Sequence, residues 1–286
     1  MRPTFVAEVS SNHNQNLDRC LKFVDKAAEI GCGAVKFQLF EVEKLFHPHV
    51  VETGSHVQQR TDWELPISFL PDIAERAREY DIDFACSPFS PEAVTVLEEH
   101  VSFYKVASYE LLWDDLLESC AETGKPVVLS TGMATLEEVA HAVDTLRSAG
   151  CSELTLLHCV SSYPVKPKDC NLAAIETLRE EFDCEVGWSD HSSCPAVIHR
   201  AVHRWDSAMV EFHIDLSDQA GYENDSEHSW RPSEIGNVIQ HIKAGFNADG
   251  DSAKRPTAAE QDERSWRADP DDGLRPLKKT RGDWDE

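Results

Sequence analysis

The chain has 286 residues, 41% of them hydrophobic and 28% charged, a balance that predicts a water-soluble globular protein. No apolar run approaches the roughly 20 residues of a membrane-spanning helix, and the opening MRPTFVAEVSS lacks the regions of a signal peptide, so the expected location is the cytoplasm, with no membrane partner. The formal net charge of −25, spread along the whole chain, repels nucleic-acid phosphates and anionic lipid, predicts the solvated surface of a halophilic protein, and requires local cations wherever an anionic substrate is to bind.

Short β-branched or aromatic runs alternate with amphipathic stretches along the chain. The predicted strands are TFVAEVS (4–10), AVKFQLF (34–40), DFACSPF (83–89), FYKVASYE (103–110), PVVLSTG (126–132), LTLLHCV (154–160), EVGWSD (185–190) and MVEFHID (209–215). Helical patterns fall between and after them, at 17–31, 67–80, 91–100, 114–124, 135–150, 171–182, 195–205 and 232–242. Glycines at 31, 124 and 150 end helices, and Thr135 with Glu138 forms a capping box. Eight right-handed strand–helix units predict a (β/α)8 barrel over residues 1–245. An open doubly wound sheet is the alternative, although no GxGxxG turn follows the first strand. Periodicity is lost after Ile242, and residues 246–286 are expected to form an extended tail that wraps the barrel or reaches a partner subunit, or to be disordered.

In such barrels the chemistry collects at the C-terminal strand ends. Those ends carry Glu8, Asn12 and His13; Lys36 and Gln38; Ser87; Lys105, Ser108 and Glu110; Ser130 and Thr131; His158 and Tyr163; Ser189, Asp190 and His191; and Glu211 and His213. Lys36 and Lys105 sit in apolar strands and each needs an anion, either Glu8 or Glu110 in an ion pair, or the phosphate or carboxylate of a ligand held with the neighbouring hydroxyls. His191 and His213 end neighbouring strands and suit a divalent transition metal, the other reading being hydrogen-bonded structural histidines. His199 and His203, at i and i+4 without an HExxH glutamate, read as surface residues. GWSDHSS is not a hydrolase triad, because adjacent residues on a strand point to opposite faces, and LSTGM is not a nucleophile elbow. The nine cysteines, with no CxxC pair, read as free thiols.

The motifs AEVSSNHNQ, GAVKFQ, ACSPF, YKVASYE, KPVVLSTGM, LLHCVSSYP, VGWSDHS and VEFHID, in order over about residues 4–242, resemble those of the sialic acid (N-acetylneuraminate) synthase family. The resemblance implies condensation of phosphoenolpyruvate with an N-acylated amino sugar of the mannosamine type, giving a nonulosonate and phosphate, in a likewise implied homodimer. By the same resemblance Lys36, Ser87, Lys105, Ser108, Ser130 and Ser189 hold phosphoenolpyruvate, and His191 and His213 hold Mn2+ or Mg2+. Glu8, Gln38 and Tyr163 then face the sugar, and Glu110 is the proton-transfer candidate. Two segments depart from the pattern: NHNQ stands for the family's NHxG, and DQAGYENDSEHSWRP lacks its Gly-Pro-Asp, so that Glu223 or Asp225, near His228, stands for the sugar-binding aspartate. The chain ends before the C-terminal antifreeze-like domain of many members, which makes Arg264, Arg267 and Arg275 candidates for the arginine that domain lends to a partner's site. Without phosphoenolpyruvate, the same residues would suit a metal-dependent barrel aldolase or isomerase, or a sugar-binding barrel without turnover.

Overall fold

The β-branched and aromatic runs form eight parallel strands: β1 Thr4–Glu8, β2 Ala34–Leu39, β3 Asp83–Pro88, β4 Phe103–Val106, β5 Val127–Ser130, β6 Leu154–Cys159, β7 Glu185–Asp190 and β8 Met209–His213. In the computed structural model, which describes residues 2–216, 219–223 and 226–282, they pair in sequence order and β8 returns to β1. The sheet is a closed (β/α)8 barrel, and closure rules out the open doubly wound alternative.

The barrel helices are α1 Leu17–Ile30, α2 Leu70–Glu79, α3 Pro91–Leu97, α4 Asp114–Glu122, α5 Leu136–Ser148, α6 Ala174–Phe182, α7 Pro195–His203 and α8 Pro232–Ala248. Each faces the sheet with one apolar stripe; α1, for example, buries Cys20, Phe23, Val24 and Ala27 at helical spacing. It stops at Gly31, whose φ of 90° is open to glycine at little cost and lets its N–H reach the Ala27 and Ala28 carbonyls. The Thr135–Glu138 capping box starts α5 as its sequence indicates.

Alternation along the strands decides what fills the barrel. Val6, Ala34, Ala85, Phe103, Val128 and Leu157, with Met209 against them, form an apolar plug across the interior. Two residues further along each of these strands, the same inward face carries Glu8, Lys36, Ser87, Lys105, Ser130, Cys159 and Glu211. Gly187 occupies the plug level on β7, where a Cβ would lie 2.2 Å from the Met209 carbonyl oxygen, and Ser189 stands above it. A polar layer therefore rests directly on a dry one.

Two segments differ from the sequence expectation. The β4 ladder ends at Val106, and Ser108–Glu110 turns as a 3-10 helix, so Glu110 leaves the strand it was read into. Between β2 and α2 lie single-turn helices at Val42–Leu45, Pro48–Thr53 and Ser55–Gln58, then 3-10 turns at Gln59–Trp63 and Ile67–Phe69, each too short to show a period.

The chain divides into two compact units, Met1–Ala244 and Gly245–Glu286. Within the second, Asp269 accepts hydrogen bonds from the Lys278 and Asp271 amides, and Arg281 pairs with Asp272 and donates to the Leu274 and Pro276 carbonyls. Arg264, Arg267 and Arg275 all belong to this unit. No helix among the described residues is long and apolar enough to cross a membrane.

Candidate active site at the C-terminal end of the barrel

A cavity of about 780 Å³ opens above the polar layer, lined by Gln38, Lys105, Ser108, Glu110, Ser130, Cys159, Tyr163, Ser189, His191, Glu211, His213, Glu223 and His228 on the barrel side. Arg60, Trp63, Phe46 and Tyr222 build the opposite wall, with the Arg60 guanidinium 5.4 Å from the centroid of Phe46 and 5.0 Å from that of Trp63. Lys36, Ser87 and Glu8 stand in the same polar layer without lining the cavity, Lys36 reaching Glu211 and Glu8 holding Gln38.

Each lysine has found a carboxylate. Lys36 Nζ lies 2.5 Å from Glu8 Oε2 and 3.9 Å from Glu211 Oε1, and donates to Ser87 Oγ at 3.2 Å. Lys105 Nζ lies 3.5 Å from Glu211 Oε1, not against Glu110. Gln38 Nε2 donates to Glu8 Oε1 at 2.6 Å, and Ser189 Oγ to Glu211 Oε1 at 3.3 Å. Burial works against the Lys36 ammonium, but the Glu211 and Glu8 carboxylates outweigh it and hold its pKa above the usual lysine range. Lys105, buried with less compensation from Glu211, is held below that range. Burial likewise opposes the Glu211 carboxylate, and the two lysines reverse the effect. Glu211, a strand-end residue given no role from sequence, is thus the shared counter-ion of both lysines.

Some polar atoms at this level are left open. Ser130 Oγ and Glu110 Oε2 are buried with no hydrogen-bond partner among the described residues, an arrangement that is costly unless a ligand or water completes it. Burial pushes the Glu110 carboxyl up to about 7, against the pull of Lys105. Ser108 Oγ accepts from the Gly132 amide at 3.0 Å and sits 3.1 Å from Cys159 Sγ. Thr131 is turned away, its hydroxyl donating to the Leu157 carbonyl.

The histidines gather at the β7–β8 side. His191 Nδ1 donates to the Val160 carbonyl at 2.8 Å, which leaves Nε2 with its lone pair. Its ring centroid lies 5.4 Å from that of His213, and Tyr163 packs against it at 4.2 Å. Burial and the neighbouring His213 imidazole lower His191 to about 3, and burial lowers His228 to about 4. Burial is outweighed for His213 by Glu223, which raises its pKa, while the same pairing helps bring Glu223 to about 2 against its own burial.

The other sequence candidates have structural partners. Asp190, fully buried, accepts from Trp188 Nε1, Trp230 Nε1, Ser192 Oγ and the Ser193 amide at 3.0, 3.0, 2.6 and 3.1 Å, and so fixes the turn leaving β7. His158 donates to the Cys170 carbonyl at 2.9 Å and packs on Trp188. His13 accepts from the Gln15 amide at 3.0 Å. His199 and His203 stack on each other on α7. All nine cysteines are free thiols, seven of them buried. Asp225 lies outside the described residues.

Fold and site together define a (β/α)8 protein with an ionic and imidazole-lined cavity at the catalytic face of its barrel. The family model described as the NeuB family matches residues 23–254, and the chain belongs to that family. An uncharacterised protein of Methanocaldococcus jannaschii is 33% identical over 91% of this chain and 76% of its own length. The pseudaminic acid synthase of Helicobacter pylori is 32% identical over 88% of this chain and 77% of its own. Among solved structures, the N-acetylneuraminic acid synthetase of Leptospira borgpetersenii is similar with a TM-score of 0.79 and 30% identity, covering 91% of this chain and 90% of that one. A truncated 3-deoxy-D-arabino-heptulosonate 7-phosphate synthase of Thermotoga maritima, at 13% identity and a TM-score of 0.68 over 87% of this chain and 88% of that one, shares the fold.

Proposed function

We propose that this chain condenses phosphoenolpyruvate with an N-acylated amino sugar to form a nonulosonate and phosphate. The reading is supported by the relatives named as pseudaminic and N,N'-diacetyllegionaminic acid synthases, and by one observation above all. Lys105, the Ser130 hydroxyl, unpartnered among the described residues, Ser108 and Ser189 line one cavity with Glu110 and three imidazoles, a set that offers both anion donors and proton-transfer groups.

In this reading Lys105 and the three serines hold the phosphate and carboxylate of phosphoenolpyruvate. Lys36 and Ser87 act from outside the lining, Lys36 by offsetting the Glu8 and Glu211 charges that would otherwise repel that anion. Gln38 and Tyr163, with the Arg60–Trp63 wall opposite, face the sugar, and Glu8 fixes the Gln38 amide. C3 of phosphoenolpyruvate attacks the sugar aldehyde, water adds at C2, and the C2–O bond to phosphate breaks. Glu110, with its open Oε2 and a pKa of about 7, holds or releases a proton during these steps.

The residues fit a divalent metal, manganese or magnesium. His191 donates its Nδ1 proton to a carbonyl, and His213 turns its Nδ1 to the Glu223 carboxylate, so each ring keeps an Nε2 lone pair, with the rings 5.4 Å apart. Bound there, such an ion supplies Lewis-acid polarisation of the acceptor carbonyl. Incubation with phosphoenolpyruvate, manganese and a panel of N-acylated hexosamines, at low and high salt, is expected to release phosphate with a product whose mass is that of sugar plus phosphoenolpyruvate plus water, less phosphoric acid. Turnover of a sugar without phosphate release would favour the aldolase or isomerase reading instead.

A further inference from the structure

The 3-10 turn at Gln59–Trp63 is fastened at the cavity from two sides. Gln15 Nε2 donates to the Thr61 and Glu64 carbonyls at 2.8 and 3.0 Å, and the Glu64 carboxylate accepts from the Val42 amide at 2.6 Å. Tyr222, from the segment between β8 and α8, packs on Trp63 with ring centroids 6.0 Å apart. This turn carries Arg60, half-buried, in the cavity wall.

From this geometry we infer that Arg60 is a specificity-determining residue for an anionic acceptor: an N-acylated amino sugar that bears a phosphate or carboxylate at the end remote from its aldehyde. The inference rests on the reaction proposed above and names the class of its second substrate.

Three observations carry it. First, Arg60 has no hydrogen bond or ion pair among the described residues, in a chain whose acidic side chains outnumber the basic ones 52 to 27. The buried cations are matched, Arg19 to Asp215 at 2.9 Å, Lys36 to Glu8 and Lys105 to Glu211. Glu211 and Glu223, which line the same cavity as Arg60, are taken up by Lys105 and His213. Secondly, the contacts that Arg60 does make are with the rings of Phe46 and Trp63. They steady the guanidinium and offer it no oxygen, so its N–H fork stays available for a bidentate oxyanion. Thirdly, its position fits the acceptor and not phosphoenolpyruvate. Lys105, Ser108, Ser130 and Ser189 stand on the barrel side of the cavity and Arg60 on the opposite wall, about 780 Å³ of space lying between. With phosphoenolpyruvate on the barrel side, the acceptor turns its aldehyde towards it and its far end towards Arg60. Against a net charge of −25, a local cation is what seats an anion at that end.

The test compares N-acetylmannosamine, its 6-phosphate and the corresponding 6-carboxylate at one ionic strength, on the parent chain, Arg60→Met and Arg60→Lys. The readouts are kcat and KM for phosphate release from phosphoenolpyruvate, and calorimetric affinity for each sugar without phosphoenolpyruvate. The parent should favour at least one anionic sugar over the neutral one about 10- to 100-fold in kcat/KM, chiefly through KM. The two anionic arms tell phosphate from carboxylate. Arg60→Met should bring that ratio close to one, and Arg60→Lys, which keeps the charge and loses the fork, should retain part of it. A parent chain that does not favour an anionic sugar, or a preference unchanged in Arg60→Met, would overturn the inference. If no sugar supports phosphate release, the proposed reaction falls, and the calorimetric ratio alone decides the role of Arg60. Binding of none of the three sugars overturns that role as well.

Discussion

Glu110 shows how one buried side chain can set a pH dependence. Its carboxyl is moved from the ordinary 4.5 to about 7, mainly by burial. An acid whose folded pKa is raised favours the fold fully below its unfolded pKa, and that contribution is lost as the pH rises through the folded value. Here the loss falls between about 4.5 and about 7. Glu110→Gln removes the penalty of ionising a buried group, so its stability relative to the parent should rise across that window, by up to about 3 kcal/mol above it. Urea unfolding of both proteins below and above the window checks this; a constant difference would show that Glu110 titrates normally. In the assay for phosphate release, the same variant should lose the pH limb near neutrality that a Glu110 proton would produce. The lysines illustrate a related point. With Lys36 on Glu8 and Lys105 on Glu211, the buried charges are paired within the chain, and an arriving anion must compete with two fixed carboxylates rather than meet two bare ammonium groups.

At the level of single elements, β7 is closely constrained on both faces. Its Ser189 faces inward to Glu211, while Trp188 and Asp190 point outward and bond to each other, which follows from the two-residue period of a strand. Gly187 allows this strand to lie close to β8. A methyl group there would meet the Met209 carbonyl oxygen at 2.2 Å and Leu157 Cδ2 at 2.8 Å, both in the packed plug. Gly187→Ala is therefore expected to cost at least about 1–3 kcal/mol in urea unfolding, and to disturb the Ser189–Glu211 contact one residue pair above. An unchanged midpoint would mean that the β7–β8 spacing relaxes freely. The connection from β2 to α2 has a different character: its short turns close over a small apolar cluster of Phe40, Val42 and Val57, with Phe46 and Trp63 packed against it, and they deliver Arg60 and Trp63 to the cavity wall.

Across the whole molecule the dominant quantity is the formal charge of −25. Self-repulsion of that size destabilises a compact state in dilute buffer and is screened by salt. The thermal midpoint is expected to climb by several degrees between ~0.1 M and ~2 M KCl, and a flat response would remove the halophilic reading. By itself the sequence determined the order and kind of the eight strands, the helices after them, and the gathering of polar residues such as Lys36, Lys105, Ser130, Ser189, His191 and His213 toward the strand ends. Those assignments rest on local periods, two for strands and 3.6 for helices, which any short window displays. Only the tertiary structure decided that Lys105 on β4 meets Glu211 across the barrel on β8, because that pairing depends on closure and register. It also decided that Glu223 and His228 return to His213, and that Arg60 reaches the cavity. These groups sit in loops with no period, and their places are set by through-space partners such as Asn12, 211 residues away from Glu223 in the chain.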